Sequence, residues 1–254
     1  MDKKIDRKKK FNEYKRKRNL ILFLLFFPAM VIIGSAIAFY FLEIIKLTHL
    51  TAIYLPLIIA DLIVVFFLTP KLHLYNMYVS YSELTLNEPH FLKAGMQLFT
   101  TSWIDQLKSD GYELVQEDMT HLLLCKFYKK LPHIPNSDKT LVFITIAKNN
   151  NFDFYGDTID NGMQVVYMKN KKYQRINKQI TLQFKKYDII DEEANTEIES
   201  AILYHGGNQI LINLSFGYQK EKTAVYCLNP NDRYPNKYVY FAFTEFKRLC
   251  GIRN

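Results

Sequence analysis

The chain has 254 residues, of which 49% are hydrophobic and 23% are charged, and its formal net charge is +8 at pH 7. Residues 1–19 contain ten Lys or Arg and only three acidic residues, so the rest of the chain carries a net charge of just +1. This distribution argues against a basic nucleic-acid-binding domain, and three cysteines without a C-x-x-C spacing argue against a disulfide framework or a structural zinc site.

Two apolar segments near the start predict a transmembrane helical hairpin over residues 20–69. Residues 20–42 contain no charge until the following Glu43, and residues 50–69 are interrupted only by Asp61. Each segment is long enough to cross roughly 30 Å of hydrocarbon as a helix. A secretory signal peptide has a shorter apolar region, and the helices of a soluble core rarely run so far without a polar face.

The residues before the hairpin form a basic arm, residues 1–19. Basic residues beside a membrane span are retained in the cytoplasm, and two crossings return the chain to the same side. We therefore expect a multi-pass plasma-membrane protein with both termini in the cytoplasm. The arm is also expected to contact anionic lipid headgroups, each basic residue contributing on the order of 1 kcal/mol, while a nucleic-acid partner is the weaker alternative. The predicted headgroup contacts are Lys8, Lys9, Lys10, Lys15, Arg16, Lys17 and Arg18.

Asp61 is the polar candidate within the membrane, because it lies near the middle of the second span. An ionised carboxylate at that depth costs a few kcal/mol unless it is paired or protonated. A two-helix hairpin with a carboxylate in its second helix resembles the proton-translocating rings of ATP synthases, but this chain lacks their glycine-rich first helix and carries a large additional domain. We expect Asp61 to bond Ser35 or a neighbouring copy in a homo-oligomer, with proton transfer as the alternative.

After a juxtamembrane linker, residues 70–89, the sequence predicts one α+β domain over residues 90–254, with a largely antiparallel sheet and flanking helices. Apolar residues at three- and four-residue spacings predict helices, and alternation of apolar and polar residues predicts strands. The predicted helices are 91–109, 191–204 and 238–249. The predicted strands are 112–116, 121–129, 140–148, 164–168, 179–187, 209–218 and 223–228.

No motif predicts a catalytic residue, a metal site or a cofactor. The chain has neither a phosphate-binding glycine loop nor an H-E-x-x-H or G-x-S-x-G motif, and its six His residues are scattered. Asp153, Asp157 and Asp160 do not match a calcium-binding loop and are interpreted as a solvated turn.

Two weaker patterns remain. The order of a helix and two strands around Asp118 and the segment Leu124-Cys125-Lys126 resembles the core of restriction-endonuclease-like folds. Leu124 stands where a metal-binding Glu is expected, so the resemblance implies an inactive site. The other pattern is a basic and aromatic segment that could meet the phosphates of lipid or nucleic acid, the alternative being an ordinary solvated face. Its basic residues are Lys169, Lys171, Lys172 and Arg175.

The functional expectation is a membrane-anchored protein that presents a cytosolic, non-catalytic domain to an unknown protein partner or ligand. The alternative is a membrane-tethered hydrolase or nuclease-like enzyme, since an active site can be assembled from residues that are distant in sequence.

Overall fold

The computed structural model describes residues 2–41, 47–86, 90–150, 152–154, 156–228 and 234–252. Those residues form six helices and one eight-stranded mixed sheet, so the α+β class is confirmed. The chain divides into two compact units, Met1–Ser82 and Glu83–Asn254, which we call the hairpin unit and the sheet unit.

The hairpin unit consists of α1 (Asp2–Phe41) and α2, which runs from Leu47 to Leu84. Both helices are long and apolar enough to cross a membrane. Only 6% of the apolar window in α1 and 0% of that in α2 is buried. The apolar surfaces are therefore not covered by the rest of the chain, which is compatible with transmembrane character.

Both helices continue beyond the predicted spans. The basic arm is helical from Asp2 onward, and the predicted linker is helical as far as Leu84, while residues 87–89 lie outside the described residues. The rings of Tyr14 and Tyr78 approach to 5.0 Å between centroids. The Tyr54 hydroxyl lies 2.9 Å from Ser35 Oγ and donates to it. The two helices therefore contact each other both within the apolar segments and beyond them.

The sheet unit has the strand order β1-β8-β7-β5-β4-β3-β2, with β6 also paired to β7. The strands β4, β5 and β7 run parallel, and the other neighbouring pairs are antiparallel. The predicted largely antiparallel sheet is therefore corrected to a mixed one, because α4 (Asp157–Lys169) carries the chain back between β4 and β5, and the segment with α5 (Glu192–Glu199) and the antiparallel strand β6 carries it back between β5 and β7. The strands are β1 (His90–Lys93), β2 (Glu113–Glu117), β3 (His121–Tyr128), β4 (Thr140–Ala147), β5 (Lys178–Tyr187), β6 (Ala201–Gly206), β7 (Gln209–Gln219) and β8 (Ala224–Cys227).

Four helices flank the sheet: α3 (Thr101–Ser109), α4 (Asp157–Lys169), α5 (Glu192–Glu199) and α6 (Lys237–Leu249). Side-chain oxygens cap three of them, since Thr100, Asp191 and Asn236 accept hydrogen bonds from backbone N–H groups in the first turns. The final helix agrees closely with its prediction.

The helices cover both faces of the sheet. On the first face, α3 and α6 pack into a core that contains Trp103, Phe216 and Phe246. On the second face, α4 packs on β3 and β4. A Cβ atom at Gly162 of α4 would collide with Leu123, and one at Gly217 of β7 would collide with Ile198 of α5. Both α4 and α5 therefore approach the second face closely, and the unit has three layers.

Candidate functional site

Polar side chains occupy the second face of the central parallel strands. Thr145, Gln183 and Ser215 stand next to each other in register on β4, β5 and β7. Their side chains alternate with those of apolar residues such as Phe184 and Phe216, which belong to the core of the first face. All three polar residues are buried, with exposed fractions of 0%, 0% and 4%.

Five buried side-chain atoms on this face have no hydrogen-bond partner within the described residues. They are Thr145 Oγ1, Gln183 Oε1, Ser215 Oγ, Gln219 Oε1 and His121 Nε2. The side-chain nitrogen of Gln183 is used, since it lies 2.8 Å from Asn213 Oδ1 and donates to it. We call His121, Thr145, Gln183, Ser215 and Gln219 the polar layer. Buried polar groups in folded proteins nearly always find a partner, so ordered water or a bound molecule is expected to meet this layer.

The turn between β2 and β3 fixes the orientation of His121. Asp118 Oδ1 accepts from the backbone N–H groups of Thr120 and His121, at 2.7 and 2.9 Å. The Nδ1 atom of His121 lies 2.9 Å from Thr120 Oγ1 and 3.3 Å from Asp118 Oδ1. The other ring nitrogen is thereby left in the polar layer.

Hydrogen bonds and burial determine the protonation states of Asp118 and His121. Burial raises the pKa of Asp118, but the hydrogen bonds from His121 and Thr120 outweigh burial and lower that pKa to about 2. Burial lowers the pKa of His121, with Asp118 acting in the opposite direction. At neutral pH the carboxylate is therefore ionised and the imidazole is neutral.

One positive charge lies beside the polar layer, and it is neutralised. Lys185 Nζ lies 2.8 and 3.1 Å from the two carboxylate oxygens of Glu197 and 2.9 Å from the Phe152 carbonyl oxygen. The hydroxyl of Tyr187 also donates to Glu197, at 2.5 Å. The polar layer therefore offers hydrogen-bonding groups without an unpaired charge.

A cleft of about 560 Å³ opens beside the carboxyl ends of β4 and β5. Its volume lies within the usual range of small-molecule sites. Lys148 Nζ lies 2.9 Å from Glu117 Oε1 and 2.7 Å from the Asp118 carbonyl oxygen, so the turn that orients His121 also fixes part of the cleft. Phe99 adopts the left-handed backbone region at φ 62, which is unusual for a bulky residue. The cleft is lined by Phe99, Ile104, Glu117, Leu122, Ile146, Ala147, Lys148, Asn149, Asn150, Lys186 and Asp188.

The endonuclease-like arrangement does not form. Lys126 Nζ donates to the Asp110 carbonyl oxygen and lies over the rings of Tyr112 and Tyr128, whereas Asp118 caps its own turn. Leu124 is fully buried in the core of the first face. In the part of the chain that the structure describes, no group of three or more His, Cys, Asp or Glu side chains could hold a metal ion.

The acidic loop is the beginning of a helix rather than a turn. Asp157 and Asp160 lie in the first turn of α4, where the helix dipole favours negative charge. Asp153 lies in the segment just before that helix.

In the hairpin unit, the structure does not pair Asp61 with Ser35. Ser35 Oγ accepts from Tyr54 and donates to the Ile32 carbonyl oxygen, at 2.9 and 3.1 Å. A hydrogen bond between Asp61 and a neighbouring copy stays a prediction.

The predicted headgroup contacts all lie on α1. Two of them form exposed pairs with acids one turn earlier: Lys10 with Asp6 at 2.8 Å, and Lys17 with Glu13 at 2.6 Å. Such pairs contribute only a few tenths of a kcal/mol, and their lysines remain on the surface of the helix.

The sequence did contain a signal for the polar layer. Thr181, Gln183 and Lys185 alternate with apolar residues along β5, a pattern that we interpreted as a half-buried strand with one solvated face. In the structure α4 and α5 cover that face, and Gln183 is 0% exposed. Polar residues expected to meet water are instead enclosed.

The side chains of this site define what it can bind. Its distinguishing feature is the set of unpartnered atoms in the polar layer, whereas the cleft at the carboxyl ends is lined partly by first-face residues such as Leu122 and Ile146. No protein-family model matches the chain, and neither a curated protein nor a solved structure matches it.

Proposed function

We propose that this chain is a membrane-anchored binding protein whose sheet unit holds a small, polar, uncharged ligand against the polar layer and does not catalyse a reaction. The observation that carries the proposal is the set of five buried, unpartnered polar atoms on one face of the sheet. Each such atom costs about 1–3 kcal/mol if nothing meets it. A bound molecule that supplies both donors and acceptors removes that cost.

The chemistry of the polar layer supports an uncharged ligand. Lys185 is paired with Glu197, and the imidazole of His121 is neutral at physiological pH. The free groups are two hydroxyls, two amide oxygens and one imidazole nitrogen. A charged ligand would be buried here without a counter-charge, which is expensive.

Binding is favoured over catalysis because neither hydroxyl of the polar layer is paired with a base. A hydrolase of the serine or threonine type needs a hydroxyl within hydrogen-bond reach of a base. Thr145 Oγ1 and His121 Nε2 both lack partners, so they are not bonded to each other. Ser215 is three strands away from His121, which corresponds to about 14 Å across the sheet.

The ligand can be tested on full-length protein purified in mild detergent. We expect native mass spectrometry to detect a small molecule that is released on denaturation. Thr145→Val should weaken its binding about 5–150-fold, because valine keeps the shape of threonine but not its hydroxyl. Thr181→Val is the matched control, since Thr181 lies on the same face and its hydroxyl has contacts with Gln179 and Met163.

Two observations together would contradict the proposed ligand. If nothing is released from the native protein, and Thr145→Val raises its free energy of unfolding by about 1 kcal/mol, the polar layer is an unsatisfied part of the core. The proposed ligand would then be wrong.

We also propose that the hairpin unit spans the plasma membrane with both termini in the cytoplasm. The support is the cluster of basic residues before the first span, compared with the single Lys of the connecting segment.

Cysteine labelling in intact cells tests this orientation. The native residues Cys125, Cys227 and Cys250 are buried, and burial raises the pKa of each thiol, to about 12 for Cys125 and Cys227. They should not react. Met119→Cys, at a residue that is 90% exposed, should react with a membrane-impermeant maleimide only after permeabilisation. The control His49→Cys, near the connecting segment, should react in intact cells, and the reverse pattern would contradict the orientation.

A further inference from the structure

The charges of the sheet unit are separated toward opposite ends of its parallel strands. The segment between α4 and β5 lies at the amino ends of those strands and carries Lys171, Lys172 and Arg175. Lys169 lies in the last turn of α4, at the same end. These four basic residues, with Met168 beside them, are called the basic edge.

Acidic residues gather at the other end. Because α4 runs back along the sheet, its first turn, with Asp157 and Asp160, lies at the carboxyl ends of the strands. The segment after β5 adds Asp188 and Asp191, followed by Glu192 and Glu193 in the first turn of α5. The ten residues of β5 separate the two ends by about 30 Å. Lys148 and Lys186 also lie at this end, but the acidic residues outnumber them, so a nearly neutral unit is polarised along its strands.

The cations of the basic edge are not used inside the fold. All four side chains are exposed, and none forms an ion pair with an acid in the described part of the chain. Lys172 Nζ lies 4.9 Å above the ring of Phe127. Acids are near but few: Glu113 lines a cavity with Lys169, and Asp138 lines another with Arg175.

Met168 distinguishes this edge from an ordinary basic surface. Its side chain is 71% exposed, in the last turn of a helix whose residues Ile159, Met163 and Val166 are buried against the sheet, and Val165 of the same helix is 39% exposed. An exposed apolar side chain next to basic residues can enter the headgroup region of a bilayer while the basic residues contact its phosphates. It contributes nothing to the binding of a phosphate backbone in water.

We propose that the basic edge docks the sheet unit onto anionic lipid headgroups, with Met168 inserted between them and the acidic end of the unit directed toward the cytoplasm. The partner is the bilayer, because the hairpin unit already keeps the chain at its surface. Anionic lipids attract the basic end of the unit and repel the acidic end, so the polarity fixes the orientation. The proposal rests on the membrane anchor proposed above and is independent of the ligand.

The experiment uses full-length protein reconstituted into liposomes and labelled at one introduced cysteine with an environment-sensitive fluorophore. Met168→Cys reports on the basic edge. The matched control is Ile189→Cys, a residue that is 77% exposed and follows the carboxyl end of β5. Lipids that carry a spin label near the headgroup quench any probe that reaches them.

With phosphatidylglycerol present, we expect several-fold stronger quenching at position 168 than in liposomes of phosphatidylcholine alone. At position 189 we expect no quenching in either lipid. Lys171→Glu combined with Lys172→Glu should lower the ratio of docked to free units at least tenfold.

Three results would overturn the docking while leaving the anchor intact. They are equal quenching at positions 168 and 189, quenching at 168 that does not depend on phosphatidylglycerol, and quenching that survives the double charge reversal. Binding of a fluorescent RNA oligonucleotide to protein in phosphatidylcholine liposomes, lost in the same double variant, together with no effect of phosphatidylglycerol, would assign the edge to nucleic acid instead. Failure of the protein to remain with the liposomes would overturn the anchor and the docking together.

Discussion

Replacement of Glu245 by alanine should lower the free energy of unfolding of the sheet unit by about 3 kcal/mol, since breaking a buried ion pair costs about 3–5 kcal/mol and the partner Arg248 is partly exposed. Glu245 is 5% exposed. Its Oε1 accepts from the hydroxyls of Tyr112 and Tyr128, at 2.6 and 3.1 Å, and Arg248 Nη2 lies 2.8 Å away. The substitution leaves two buried hydroxyls without their acceptor, and it leaves Arg248 with Asp110 as its remaining carboxylate partner, at 2.7 Å.

Urea unfolding followed by tryptophan fluorescence measures this loss, because Trp103 is the single tryptophan of the chain and is buried in the same core. The control is Glu117→Ala, which removes the partner of Lys148 from a much more exposed pair. Surface ion pairs contribute about 0–1 kcal/mol. Equal losses in the two variants would contradict the structural role of Glu245.

The same residue predicts a pH dependence. Burial raises the pKa of Glu245, but the hydrogen bonds from Arg248 and Tyr112 outweigh burial, so the pKa is lower in the folded protein than its ordinary value of 4.5. A lowered carboxyl pKa stabilises the fold above the unfolded value, and this stabilisation is lost as the pH falls below it. Glu245→Gln should therefore be less sensitive than the wild type to acid below about pH 4.5.

Phe246→Ala should destabilise the sheet unit by about 3–5 kcal/mol, the usual range for truncation of a buried phenylalanine. The ring of Phe246 is 0% exposed and stacks on Phe216 with a centroid distance of 4.0 Å. Alanine would leave a cavity between α6 and β7 that the packed side chains around it cannot fill.

The same urea titration provides the measurement, with Tyr240→Ala as the control on the same helix. Tyr240 is 43% exposed, so its truncation should cost much less. A loss below about 1 kcal/mol for Phe246→Ala would mean that α6 is not packed on the first face as described.

Secondary structure was predictable where one short segment contains the whole pattern. The alternation along 179–187 and the apolar face of 238–249 were predicted close to their observed bounds, because both depend on neighbours a few residues away. The helix predicted over 191–204 ends at Glu199, since Ala201–Gly206 pairs with β7 as strand β6.

Two further predictions failed because distant contacts outweighed the local pattern. The strand predicted over 164–168 is the second half of α4, whose buried residues Ile159, Met163 and Val166 recur at helical spacing and pack on the sheet. The helix predicted from Phe91 begins only at Thr101. Phe91 itself lies in β1 opposite Tyr226, a partner far away in the sequence.

The sequence by itself determined the two long apolar helices and the concentration of basic charge before them, because hydropathy, length and charge act locally. Only the tertiary structure decided that β4, β5 and β7 are parallel and that α4 and α5 cover their second face. That covering turns Gln183 and its neighbours from residues expected to face solvent into the buried polar layer. The direction of α4 likewise decided that basic and acidic residues from separate segments gather at opposite ends of the strands. Both results depend on how distant segments pack, and the alternation of residues within one strand is the same whether its second face meets water or a helix.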